Sequence, residues 1–269
     1  MPLLQEKYGS PGLSRLKGPT SPSLDSSPAP MSQPPIRHWM LSEPRSGGAA
    51  EDYEDAAALE ADAWPVRAAV ADGATESVFA GAWAHALVER LVGRPQASPD
   101  AFTEGVTEAR ARWGSTAADR ARDRPWYVQA KASEGAFATV LALTLHEDGT
   151  WGASAVGDCC LFHLRGGRTL RAWPFTDPDA FTNRPALVSS RPARAVPSPL
   201  TASGTWTAGD RWLLATDAVA AWLLRTDPGA LEPDEQAFSA AVRAAREDGT
   251  LRNDDATLLV LDLEQTRHS

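Results

Sequence analysis

The chain has 269 residues, 43% hydrophobic and 23% charged, enough for one large or two small domains with a buried core. Asp and Glu number 35 against 26 Lys and Arg, a formal charge of −9 that repels nucleic-acid phosphate and anionic membrane surfaces. Two adjacent cysteines, Cys159 and Cys160, and five scattered histidines argue against a disulfide framework or a zinc site. No run approaches the roughly 18 apolar residues of a membrane span, and no apolar region follows the first basic residues as in a secretory signal. The expected location is the cytoplasm.

Residues 1–48 hold nine of the 21 prolines among many serines, a composition too poor in apolar groups to offset its ordering entropy. They are expected to be disordered: a tether or docking arm, or an unselected leader before a native start at Met31 or Met40. This segment carries five basic and three acidic residues, leaving 21 against 32, or −11, in the body 49–269.

Within the body, Val66–Ala71 reads as a short strand closed by Asp72-Gly73. Thr75–Val92 follows as an amphipathic helix with Phe79, Trp83, Ala86, Leu87 and Leu91 on one face. Ser98-Pro99-Asp100 is an N-cap with proline at the first helical position, and Phe102, Val106, Ala109 and Trp113 mark that helix's inner face. Phe137–Leu145 and Trp151–Val156 read as a hairpin around Glu147-Asp148-Gly149, and Cys159–Leu164 as a strand turned by Gly166-Gly167. The Pro-rich, weakly periodic stretch 166–210 reads as a surface excursion. Arg211–Ala215 is a strand ending in Thr216-Asp217, Asp217–Leu224 and Asp234–Arg246 are helices, and Ala256–Asp262 is the last strand. Hairpin-linked strands with separate helices indicate an α+β fold.

Acids recur at strand ends: Asp72, Asp158, Asp217, the pair Asp254-Asp255, and Asp55 before an apolar run. Carboxylates converging on one rim repel unless a cation or a proton intervenes, and oxygen donors without His or Cys select Mg²⁺ or Mn²⁺. Each Asp alone is equally at home in a turn or helix cap.

The neighbours of these acids say more. Glu54-Asp55-Ala56, Ala71-Asp72-Gly73, Gly135-Ala136-Phe137-Ala138-Thr139, Val156-Gly157-Asp158, Thr216-Asp217 and Asp254-Asp255-Ala256-Thr257 occur in that order. This ordered set resembles the metal-dependent protein phosphatase 2C family in a compact bacterial form, over roughly residues 51–263. The resemblance implies two packed antiparallel β-sheets flanked by helices, an α-β-β-α sandwich. It implies hydrolysis of phosphoserine and phosphothreonine in proteins, with a phosphoprotein substrate; a monomeric enzyme is expected, and the acidic charge and lack of an apolar span lead us to expect no nucleic-acid or membrane partner. It implies two Mn²⁺ or Mg²⁺ ions, and a weaker third in some members. Asp72 would bridge the two ions with help from the Gly73 carbonyl. Asp217 and Asp254 would hold the first ion, and Glu54 and Asp55 the second, largely through water. Asp158 would serve the third. Water held between the two ions would attack phosphorus in line.

The sequence departs from the family pattern at four places. Ala74 stands where many members carry a His that is a candidate general acid, and Ala50 where many carry an Arg that grips phosphate. Ala218 replaces the usual Gly, and Asp255 the usual Asn. Arg67, Arg184 or Arg191 are candidate substitutes for the missing Arg, and Arg184 and Arg191 lie in polar loops suited to guiding phosphate. These departures motivate a second reading, a regulatory or binding module of this fold with negligible catalysis; a divalent-metal hydrolase of small phosphoesters is a third. Cys159 and Cys160 alternate in and out of a strand and read as small hydrophobes rather than a redox pair. Trp64, Trp83, Trp113, Trp151, Trp212 and Trp222 read as core; Trp173 and Trp206, in the excursion, are candidates for a substrate or partner surface.

Overall fold

The computed structural model describes residues 36–49, 52–94, 98–182 and 184–264. Most of the expected N-terminal segment, with Met31, lies outside these residues. Its last part does not: Ile36–Glu43 is strand β1, paired along its length with the final strand. The folded body therefore begins by residue 36, not 49. Only Leu41 and Glu43 of β1 are buried, so this edge strand lacks an apolar alternation to set it apart from the Pro- and Ser-rich residues before it. Met40 lies inside β1, opposite Leu259, and a chain starting there would lose half of that ladder.

Among the described residues, ten further strands and five α-helices follow. They are β2 (Asp55–Glu60), β3 (Val66–Gly73), α1 (Ala80–Val92), α2 (Pro99–Ala121), α3 (Trp126–Ser133), β4 (Phe137–Leu145), β5 (Thr150–Val156), β6 (Cys160–Arg165) and β7 (Arg168–Trp173). The chain continues through β8 (Val188–Ser189), β9 (Leu200–Thr205), β10 (Asp210–Ala215), α4 (Asp217–Arg225), α5 (Glu235–Glu247) and β11 (Ala256–Leu263). One sheet runs β1-β11-β10-β6-β7 and the other β2-β3-β4-β5-β9, with β8 beside β4; every pairing is antiparallel.

Most central strands bury both faces, which is why they read as nearly continuous apolar runs. Val66, Ala68 and Val70 of β3 face the layer between the sheets, where they meet Leu141, Leu143, Leu161, Trp212, Leu214, Leu259 and Leu261. Ala69 and Ala71 of the same strand face outward against Trp83, Leu87 and Leu91 of α1 and Phe102, Val106 and Ala109 of α2. The other sheet repeats the scheme, with Phe162, Leu213, Leu258 and Val260 packed on Trp222 of α4 and Phe238 and Val242 of α5. Period-two alternation thus splits the apolar side chains into three layers, the α-β-β-α sandwich. The cysteine pair obeys it: Cys159 enters the inter-sheet layer and Cys160 the helix layer, and both are fully buried.

Three local expectations change. The helix expected from Thr75 begins at Ala80, because residues 74–77 are tied to the sheet instead. The Ala74 amide donates to the Phe137 carbonyl (2.9 Å), and the Ser77 hydroxyl donates to the Ala74 carbonyl (2.8 Å). The 166–210 stretch contains β7, β8 and β9; β7 and β9 are edge strands with almost no buried side chain, so they carry no hydrophobic period. Trp206 is not a surface residue: it is buried, stacked on Trp64 at 5.2 Å, and donates its indole N–H to the His146 carbonyl. Trp173 packs against the same inter-sheet layer.

Candidate metal centre

Register brings the acids to one rim. Asp55 opens β2 directly opposite Asp72 near the end of β3, and Asp72 also lies opposite Thr139 at the start of β4. Because β5 runs back along β4, its end leads into Gly157-Asp158 at that same edge. In the facing sheet Ala215, the last residue of β10, pairs with Cys160 and Leu258, the starts of β6 and β11. Asp217 therefore emerges beside Asp158, and Asp254 enters just before β11.

Each turn has a local reason. Gly157 holds φ +98°, and a Cβ there would stand 2.5 Å from the Thr139 side chain, so only glycine lets the chain swing Asp158 inward. At Gly73 a Cβ would meet the Glu54 carbonyl at 2.7 Å, which keeps β2 and β3 close at the rim. Asp217 is the first residue of α4, where the helix N-terminus favours its negative charge. We expect Gly157→Ala to cost about 1–3 kcal/mol of stability, from the positive φ and the clash together. Chemical denaturation checks this, and Mn²⁺ affinity should fall in the same variant.

Carboxylate oxygens of Asp72, Asp158 and Asp217 lie within 4.8 Å of one another. The mutual charge has a cost. Burial, reinforced by Asp55, Asp217, Asp254 and Asp158, raises the Asp72 carboxyl well above the ordinary range. Burial and the Asp217 charge push Asp158 up to about 7, and Arg252 partly offsets them. Burial pushes Asp55 up to about 8, although the Thr216 hydroxyl donates to it at 2.8 Å. Burial raises Asp217 as well, against the Arg252 charge. Thr139 lies near enough to ease the Asp158 charge, yet neither oxygen of this buried carboxylate makes a hydrogen bond of normal geometry. Oxygen-only donors, crowded and under-satisfied, fit a hard divalent cation.

The remaining site candidates are placed as follows. Gly73 and Asp254 line the same cavity as Asp72 and Asp217. Asp254 also accepts from the Arg252 guanidinium at 2.9 Å. Glu54 turns away to pair with Arg45 at 3.1 Å, beside a separate depression. Asp255 clamps the rim: its two oxygens accept from the Arg45 amide (2.9 Å) and the Glu54 amide (2.8 Å). Two N–H donors explain a carboxylate at this position, since an amide side chain has a single acceptor oxygen.

The cavity has a volume of about 790 Å³, and Lys131, Arg184 and Arg252 are its basic lining residues among those described. Arg184 thus faces it. Arg191 is not in the lining and covers Gly135 instead. Arg67 binds Glu60 and the Val92 carbonyl, near the far end of β3 from Asp72. Arg252 is not among the residues the sequence pattern singles out; its two-residue distance from Asp254 is the signal that could find it.

The sequence pattern of the family described as protein phosphatase 2C matches residues 45–256. No curated protein is significantly similar in sequence. Among solved structures, the serine/threonine phosphatase PstP/Ppp of Mycobacterium tuberculosis is similar with a TM-score of 0.57 at 18% identity, covering 86% of this chain and 99% of that one. The catalytic domain of PstP in complex with two manganese ions gives 0.54 at 18% identity, over 86% and 99%. The Ser-Thr phosphatase MsPP of Mycobacterium smegmatis, in complex with cacodylate, gives 0.54 at 20% identity, over 84% and 98%. These likenesses agree with the sandwich built here from strand register. With the family pattern covering residues 45–256 and so every acid of the rim, the chain belongs to the protein phosphatase 2C family.

Proposed function

We propose that the protein hydrolyses phosphoserine and phosphothreonine esters in proteins, using two Mg²⁺ or Mn²⁺ ions held at the rim. The observation that carries this reading is the convergence of Asp72, Asp158 and Asp217 from three separate chain segments, with Asp72 and Asp217 on the wall of a cavity that also presents cationic groups. Asp72, Asp158, Asp217 and Asp254 would hold the ions, with Gly73 and Asp55 beside them and Glu54 at the periphery. Bound divalent ions would supply Lewis-acid polarisation and an acidified water. The chain's own residues do the rest. Arg184 and Lys131 offer cationic donors to the phosphate from the lining of the same cavity. The Thr216 hydroxyl fixes Asp55, and Asp255 fixes the backbone that carries Glu54. We take the working form to be a cytoplasmic monomer that binds neither nucleic acid nor membrane, in keeping with the acidic body; no described helix is long and apolar enough to cross a membrane.

The test is hydrolysis of p-nitrophenyl phosphate and a phosphothreonine peptide with and without Mn²⁺. Turnover that requires Mn²⁺ is expected, and its absence under all metal conditions overturns the proposal. A second reading, a phosphatase-fold binding module, draws on Ala74 and on the absence of any histidine from the described cavity lining. Calorimetry separates the two: metal-dependent phosphopeptide binding without turnover favours the module.

A further inference from the structure

Arg252 occupies an unusual position for a residue with no assigned role. Its guanidinium forms ion pairs with both Asp217 and Asp254, and it lines the same cavity as Asp72. Asp217 and Asp254 are two of the carboxylates that the proposed function assigns to the metal ions. Asp217 is almost fully buried, whereas the Arg252 side chain is 44% exposed. The anion is therefore fixed and its partner can reach water. The backbone around Arg252 is pinned. Arg246 donates to the Asp254 carbonyl (2.6 Å), the Ser46 amide donates to Asn253 (2.8 Å), and Leu251 is buried. Any departure of Arg252 from the carboxylates is then a side-chain rotation with no loop movement.

An ion pair on a ligand carboxylate uses the same lone pairs that a metal ion needs. We propose that Arg252 is a resident cation that competes with divalent ions for Asp217 and Asp254, so that metal loading requires its guanidinium to leave them. This rests on the reading of the rim as a metal centre. It makes Arg252 a regulator of metal affinity: it neutralises the rim when metal is scarce and raises the concentration of metal needed to fill it. A pair with one exposed partner is weak enough to be displaced and strong enough to be measured.

The experiment titrates Mn²⁺ calorimetrically into metal-free wild type, Arg252→Gln and Arg252→Lys, and records the melting of each protein with chelator and with saturating Mn²⁺. Arg252→Gln should bind Mn²⁺ roughly threefold to tenfold more tightly. It should melt lower than wild type without metal and higher with it. Arg252→Lys keeps the charge and should stay near wild type. Opposite signs in the two melts separate competition from simple misfolding, which lowers both. Equal or weaker Mn²⁺ binding by an Arg252→Gln protein that melts cooperatively overturns the proposal while leaving the metal centre intact. Absence of Mn²⁺ binding by wild type overturns both.

Discussion

Asp72→Asn should abolish metal-dependent turnover, by more than the roughly hundredfold seen when a group that only supports a metal ligand is removed. Asp72 lies directly opposite Asp55, has oxygens within 4.8 Å of Asp158 and Asp217, and its carboxyl is raised by burial and by the charge of four neighbouring carboxylates. The amide is isosteric, keeps one oxygen and removes one negative charge. Because that charge is unfavourable without metal, the metal-free variant should melt no lower than the wild type, and higher above neutral pH. Loss of Mn²⁺ binding and turnover with undiminished metal-free stability is the expected pattern, read by phosphopeptide hydrolysis, calorimetry and thermal melting on the same preparation. Wild-type turnover by Asp72→Asn would overturn the role.

The rim was legible because strands advertise their ends. Asp-Gly, Gly-Asp and Thr-Asp each follow an apolar run, and antiparallel pairing carries such ends to one edge when successive strands alternate direction. The core was legible for a related reason: α2 buries all four residues that its helical spacing picks out, Phe102, Val106, Ala109 and Trp113. What escaped lacks a hydrophobic period. β1 and β9 are edge strands held by backbone ladders with few buried side chains, and α3 buries none at all. Adjacent acids part for a geometric reason. Neighbours in extended chain point to opposite sides, so Asp55 faces the rim while Glu54 reaches Arg45; Asp254, in a bend before β11, lines the cavity while Asp255 clamps two amides. Which acid of each pair turns inward depends on register with the partner strand, and register is a property of the assembled sheet.

Removing metal should invert the dependence of stability on pH. Free carboxyls titrate near 4, whereas in the folded chain Asp158 is pushed to about 7, Asp55 to about 8, and Asp72 and Asp217 are raised too. A group whose folded pKa lies above its unfolded value contributes stability that is complete below about pH 4 and is lost as pH rises through the folded pKa, because the folded state binds the extra proton. Metal-free protein should therefore lose stability from pH 6.5 to 8. His163 works in the opposite sense, since burial lowers it below its ordinary 6.5, but its contribution is nearly level above that pH. One carboxyl that stays protonated across 1.5 pH units accounts for about 2 kcal/mol, or roughly 4–8 °C in melting temperature at this chain length. Saturating Mn²⁺ binds the ionised carboxylates, so protons compete with it and the slope reverses: the loaded protein should melt higher at pH 8 than at 6.5. Melting curves with chelator and with Mn²⁺ at the two pH values decide the matter. A metal-free protein that gains stability from pH 6.5 to 8 would show that the rim carboxylates do not share a field, and the convergence on which the metal centre is built would fall with it.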